Sequence, residues 1–181
     1  CQKYMTKDTF ELEVGGKILK VKLNDWAVQA SGSCVVQYGD TEVIANATLS
    51  QKSVEGQDFF PLMVEYEEKF YAAGKIFGSR FLKRESRPTD EAILTSRMID
   101  RAVRPLFPKD FKKEVQVIAT CLSWDQENDA DFPAFIGSSL ALGMSQIPWN
   151  GPLAAVRVGR TNGEFIINPT YKERVEGDMD L

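Results

Sequence analysis

Apolar and polar residues alternate along the first third of the chain. FELEV (10–14) and KILKVKL (17–23) each put apolar residues on one face, and Gly15-Gly16 between them predicts a hairpin turn. Further strands are predicted at WAVQA (26–30), SCVVQY (33–38) and TEVIANATL (41–49), punctuated by Ser31-Gly32 and Gly39-Asp40. The polar stretch QKSVEGQD (51–58) predicts a flexible loop, after which FFPLMVEYEEKFY (59–71) resumes an extended pattern.

The period then changes. A glycine-bearing basic loop, 74–88, leads into a predicted helix over 89–104. Thr89 is a suitable cap, Asp90 and Glu91 complement the helix dipole, and Pro105 ends the run. Ala92, Leu94, Met98, Ile99, Ala102 and Val103 share a broad apolar arc. VQVIATCLSW (115–124) is apolar and rich in β-branched residues, as a buried strand would be. A second helix is predicted over 132–146, where Ser138 and Ser139 are small packing residues. AAVRVGR (154–160) and EFIINP (164–169) form a last hairpin around Thr161-Asn162-Gly163. Strands first, then strands alternating with helices, predict a two-layer α/β (α+β) fold.

Composition narrows the chemistry. A chain of 181 residues, 43% hydrophobic, can bury one core, so a single domain over 1–181 is expected. It begins without Met and stops in mid-pattern, which predicts a piece of a longer multidomain protein. The absence of histidine excludes His-based triads and His-containing zinc sites. Three scattered cysteines make neither a disulfide framework nor a zinc ribbon, and suit reduced thiols in a cytoplasm. No apolar run is long enough to span a membrane.

The net charge of −4 hides an asymmetry. Twelve basic residues against five acids lie between Lys69 and Lys113, a local excess of +7 on a body carrying −11. Such a zone suits either a polyanion or a solvated charged face. At about 100° per residue, Arg97, Arg101 and Arg104 form one helical stripe at i, i+4 and i+7, with Asp100 the near acid. Guanidiniums so spaced can fork onto successive phosphates, or pair with acids elsewhere in the fold. Upstream, Arg80, Phe81, Lys83 and Arg84 place an aromatic ring among cations on a glycine-flanked loop. That composition suits a single strand, the ring stacking on a base; a ring anchoring its own loop is the alternative.

FYAAGKI (70–76), FLKRESRPTDEAILTSRMIDRAVRPLFP (81–108), EVQVIAT (114–120) and IPWNGP (147–152) occur in order and with natural spacing. Together they resemble the first RNase PH-type core of the polynucleotide phosphorylase family, from Phe10 to the end of the chain. The resemblance implies an RNase PH-like domain of the ribosomal-protein-S5-domain-2-like superfold. It implies a cytoplasmic bacterial homotrimer that degrades single-stranded RNA 3′ to 5′ with inorganic phosphate, releasing nucleoside diphosphates in mRNA turnover. Mg²⁺ or Mn²⁺ is required, bound outside this domain, and RNA-degradation complexes supply further partners. The family's channel motif, Phe-Phe-basic-Arg, maps to Phe81-Leu82-Lys83-Arg84. Leu82 replaces the second Phe, Arg80 is an insertion, and Ser86 and Ala102 replace Gly and Pro. Phe81, Lys83, Arg84, Arg97, Arg101 and Arg104 are thereby expected to bind RNA.

The same resemblance speaks against catalysis in this domain. The family's catalytic core has a serine-rich loop before the second helix; here that loop, 125–131, carries four acids that would repel phosphate. The catalytic core also has two aspartates six positions apart. Asp180 matches one of them, but Arg174 stands in place of the other. A self-contained RNase PH-like exoribonuclease and a general single-stranded RNA-binding module remain the alternatives.

Overall fold

A computed structural model describes residues 8–23, 26–53, 59–76 and 87–181. Two strands, β1 (Thr9–Val14) and β2 (Lys17–Leu23), meet at the expected turn, where Gly15 and Gly16 both take positive φ. β3 (Gly32–Tyr38), β4 (Thr41–Ser53), β5 (Leu62–Glu68) and β6 (Lys113–Ser123) complete a six-stranded sheet in the order β1-β2-β3-β4-β6-β5. Every pairing is antiparallel except β5–β6. The crossover between those two parallel strands carries helix α1 (Asp90–Val103).

Register lines up one apolar face across the sheet. Val36 pairs with Val43 and Cys34 with Ala45. Val117 stands opposite both Ala47 and Val64, and Ala119 opposite both Ala45 and Tyr66. Onto this face pack α1, chiefly against β5, and α2 (Asp131–Met144), against β3, β4 and β6. Two layers and one core result.

The helices bury themselves differently. α2 is apolar nearly all round and is buried along most of its length, Ser138 and Ser139 included. Ser138 Oγ donates to Ala134 O, and Ser139 Oγ accepts from Leu153 N, so each is tied into the packing around α2. α1 buries only Ala92, Ile99 and Val103. Leu94 and Met98 stay 66% and 43% exposed, because the apolar arc is wider than the contact with β5.

A second, three-stranded sheet follows in the order β8-β7-β9: β7 (Val158–Thr161), β8 (Glu164–Ile167) and β9 (Met179–Asp180). The short helix α3 (Tyr171–Glu176) separates β8 from β9, started by a capping box between Thr170 and Glu173.

Three expectations change. Residues 26–30 are bends and a turn rather than a strand, with Trp26 and Val28 exposed; the chain joins the sheet only when Ser31 N reaches Ala47 O. Residues 51–53 extend β4 instead of opening a loop, while 54–58 lie outside the described residues. The last hairpin starts at Val158, four residues later than its apolar pattern suggested.

α2 lies close against the sheet because the facing residues are small. A Cβ on Gly32 would stand 2.1 Å from Ala141 O, and one on Gly137 2.9 Å from Ala45 Cβ. Gly32→Ala should therefore push helix and sheet apart and lower stability by about 1–3 kcal/mol. Urea unfolding beside Gly16→Ala checks the cause, since Gly16 has positive φ but no atom within 4 Å of its added Cβ.

Candidate functional site

The N-terminal end of α1 forms as the sequence implies. Thr89 caps it by accepting from Ala92 N at 3.1 Å, and its hydroxyl donates to Glu68 across the start of the crossover. Arg97 and Arg101 lie exposed on the outer face beside Leu94 and Met98, and form no ion pair among the described residues.

Arg104 departs from this stripe. Its Nε and Nη2 fork onto Asp100 at 3.0 and 2.6 Å, while Nη1 and Nη2 also donate to the carbonyls of Phe60 and Leu62. The guanidinium stitches the end of α1 to the chain entering β5. Helical spacing puts Arg104 with its neighbours; Asp100 at i−4 and the carbonyls of Phe60 and Leu62 hold its guanidinium, which stays exposed. Phe81, Lys83 and Arg84 lie outside the described residues.

The acidic loop before α2 is built around Asp125. Its carboxylate accepts from the backbone N–H groups of Glu127, Asn128 and Asp40 and from the Asn128 side chain. Burial works against the charge, but these donors outweigh it and hold the carboxyl below its ordinary pKa. Lys17 of β2 closes the loop by donating to Asn128 Oδ1.

The loop's other aspartates meet two arginines, Arg157 just before β7 and Arg174 on α3. Arg174 donates to Asp129 at 2.7 Å and to Asp180 at 2.9 Å. Arg157 donates to Asp131 at 2.7 Å. Its Nη1 approaches Asp129 to 3.0 Å and Asp180 to 3.7 Å, near enough for charge attraction but not aligned for a hydrogen bond. Tyr171 adds a hydrogen bond to Asp129, and Arg174 stacks over its ring. Burial opposes the Arg174 cation, and Asp180, Asp129 and Asp131 more than compensate, raising its pKa.

Two guanidiniums among three carboxylates thus fill the corner between the acidic loop, α3 and β9. The sequence put Asp129, Arg174 and Asp180 at separate points along the chain, and the fold brings them together. Arg157 carries no local signal, lying on an apolar run whose partners come from elsewhere. The Thr170–Glu173 capping box that positions Arg174 was readable as Thr-x-x-Glu.

Residues 16–148 match the 3′ exoribonuclease family, domain 1, and residues 151–181 match domain 2 of the same family. The chain belongs to the 3′ exoribonuclease family. Curated relatives within it are named polyribonucleotide nucleotidyltransferase. One from Exiguobacterium sibiricum is 53% identical over 176 residues, covering 97% of this chain and 24% of the relative. One from Clostridioides difficile is 51% identical over 172 residues, covering 95% and 24%. One from Thermomicrobium roseum is 51% identical over 170 residues, covering 94% and 21%. The chain therefore spans about a quarter of the length of these relatives. Among solved structures, a chain of the Archaeoglobus fulgidus exosome with RNA bound to the active site superposes with a TM-score of 0.64 at 17% identity. That match covers 90% of this chain and 70% of the other. The 3′ exoribonuclease fold is thus shared at low sequence identity.

The cluster's electrostatics are testable. Burial, then Asp129, raises the Asp131 pKa, and Arg157 partly offsets both. A carboxyl with a raised folded-state pKa binds its proton more tightly when folded. Its stabilising contribution is full below the ordinary carboxylate value and is lost as pH rises through the raised value. Arg157→Ala removes the offset, so it should cost about 1–3 kcal/mol at neutral pH. That is less than for a fully buried pair, because a quarter of the Arg157 side chain is exposed (25%). Denaturant unfolding across the acid range should show the gap to wild type narrowing as Asp131 takes up its proton.

Proposed function

We propose that the chain is a non-catalytic core domain of a phosphorolytic 3′-to-5′ exoribonuclease, holding single-stranded RNA and helping to assemble the longer enzyme. The observation that carries this reading is the filling of the corner between the acidic loop and β9 by Arg157 and Arg174. Phosphorolysis needs a cradle for inorganic phosphate and carboxylates for Mg²⁺ or Mn²⁺. The residues present fit neither. Asp129, Asp131 and Asp180 would repel phosphate, and each is already turned to a guanidinium. The start of α2 is capped by Ala130, which has no side-chain hydroxyl to offer. In this reading phosphate and metal act elsewhere in the longer protein.

RNA contact belongs to the exposed side of α1 and the loop before it. Arg97 and Arg101 are available to phosphates, and Phe81, Lys83 and Arg84 supply stacking and charge in the family's pattern. Arg104 instead positions the helix. A homotrimer of the full-length protein, its place among RNA-degradation partners and a bacterial cytoplasmic location complete the proposal on the strength of the resemblance. A self-contained exoribonuclease is the weaker reading, because it would have to act through a corner already neutralised from within.

Two measurements test this. The 181-residue chain, incubated with RNA, phosphate and Mg²⁺ or Mn²⁺, should release no nucleoside diphosphate. Turnover that persists on repurification and is lost in Asp180→Ala would refute the non-catalytic assignment. In the full-length protein, Arg97→Ala and Arg101→Ala should each make log K against log salt shallower by about 0.7. Arg104→Ala should lower the melting temperature and leave that slope nearly unchanged.

A further inference from the structure

The two segments that match domains 1 and 2 of the family meet at a small cavity beside the ion-pair corner. Tyr38, Asp131 and Phe132 line it from the first segment, and Arg157, Asn168 and Pro169 from the second. Its volume is about 10 Å³, measured for the centre of a water-sized sphere. That is room for one water molecule and for no organic ligand.

Two buried donors at this cavity have no hydrogen-bond acceptor among the described residues, Asn168 Nδ2 and Arg157 Nη1. Asn168 is only 7% exposed. The backbone settles which way round its amide lies. Asn168 Oδ1 accepts from Arg157 N at 2.9 Å, while Asn168 N donates to Arg157 O at 2.7 Å. Turning the amide over would set its NH₂ against the Arg157 N–H, so Nδ2 is the atom left over. The φ of 51° at Asn168 is a left-handed conformation that asparagine adopts more readily than most side chains. The Tyr38 hydroxyl is committed to Val14 O at 3.0 Å. Burial raises the Tyr38 pKa and the nearby Asn168 amide partly offsets that rise, yet Nδ2 is not aligned for a hydrogen bond to it. Arg157 Nη1 faces Asp129 at 3.0 Å in the same unaligned way.

Charge and hydrogen-bonding sense select the occupant. The corner's two guanidiniums and three carboxylates leave one negative charge in excess, which disfavours a small anion. A metal ion would meet two N–H donors where it needs electron pairs. Water satisfies both sides. Its oxygen can accept from Asn168 and Arg157, and its protons find acceptors in Asp129 and Asp131, which also line the cavity.

We propose that a single water molecule is an integral part of this seam, accepting from Asn168 Nδ2 and Arg157 Nη1 and donating to the carboxylates of the acidic loop. It ties the chain flanking β7 and β8 to the start of α2, and it does so whether or not the domain is catalytic. Crystals of the full-length protein grown in bromide and, separately, in rubidium test it. Both should show a peak within about 2.7–3.2 Å of Asn168 Nδ2 and Arg157 Nη1, without anomalous signal. Asn168→Gly tolerates the positive φ and removes the amide, so the peak there should be at least about 2-fold weaker. A bromide signal would make the site an anion site, and a rubidium signal a cation site; either overturns the proposal. So would a missing peak in the unaltered protein, or a peak that keeps its position and strength in Asn168→Gly.

Discussion

The carbonyl of Ala141 lies where a side chain at residue 32 would have to go, so α2 rests almost directly on the backbone of β3. Contact this close fixes the helix in both translation and rotation, because interiors packed to crystal density have little slack. Cys34 Sγ reaching Gly137 O at 3.4 Å marks the same seam. With α2 fixed, its first residue Asp131 and the preceding Asp129 are delivered to one corner. There the residue before β7 presents Arg157 and α3 presents Arg174. The small residues of the seam thus decide where the charges of the corner meet.

Much of this was legible in the sequence, for identifiable reasons. Period-2 alternation found β1 and β2, although Phe10 and Leu12 of β1 stay exposed, and a continuous apolar run found β6, whose alternate residues face the core. Thr89 with Asp90 and Glu91 announced α1 through capping and dipole effects that act within one turn. Local signals failed where a distant partner decides the outcome. WAVQA alternates like a strand, yet Trp26 and Val28 remain exposed outside the sheet. Arg104 follows the helical stripe, yet two carbonyls from the entry to β5 claim it. No spacing rule reveals a partner 42 or 44 residues away.

The arginines illustrate how one residue type divides between structure and surface. Arg157 and Arg174 lie beside carboxylates already brought together by the fold, where unpaired acids would repel one another. Their cost of desolvation is offset by directed hydrogen bonds as well as by charge. Arg104 satisfies carbonyls at the join between elements. Arg97 and Arg101 have neither acids nor carbonyls holding them among the described residues, and they stand out from an otherwise acidic body.

That division bears on the proposal that this RNase PH-type domain is non-catalytic. A phosphate-and-metal corner concentrates groups that are costly to leave unpaired: carboxylates of like charge beside an anion-seeking helix start. Without such ligands, a fold must neutralise the corner by other means. Here Arg174 faces Asp180 from six positions earlier and Asp129 from the loop, so it serves both motifs at once. Restoring a carboxylate at 174 alone would add a charge while removing the partner of two others. The corner would then be destabilised before it regained any affinity for metal, since Arg157 would still contact Asp131 and attract Asp180. On the proposed non-catalytic reading, a metal site here would require changes at 157, 174 and the acidic loop together, because the ion-pair network couples all three.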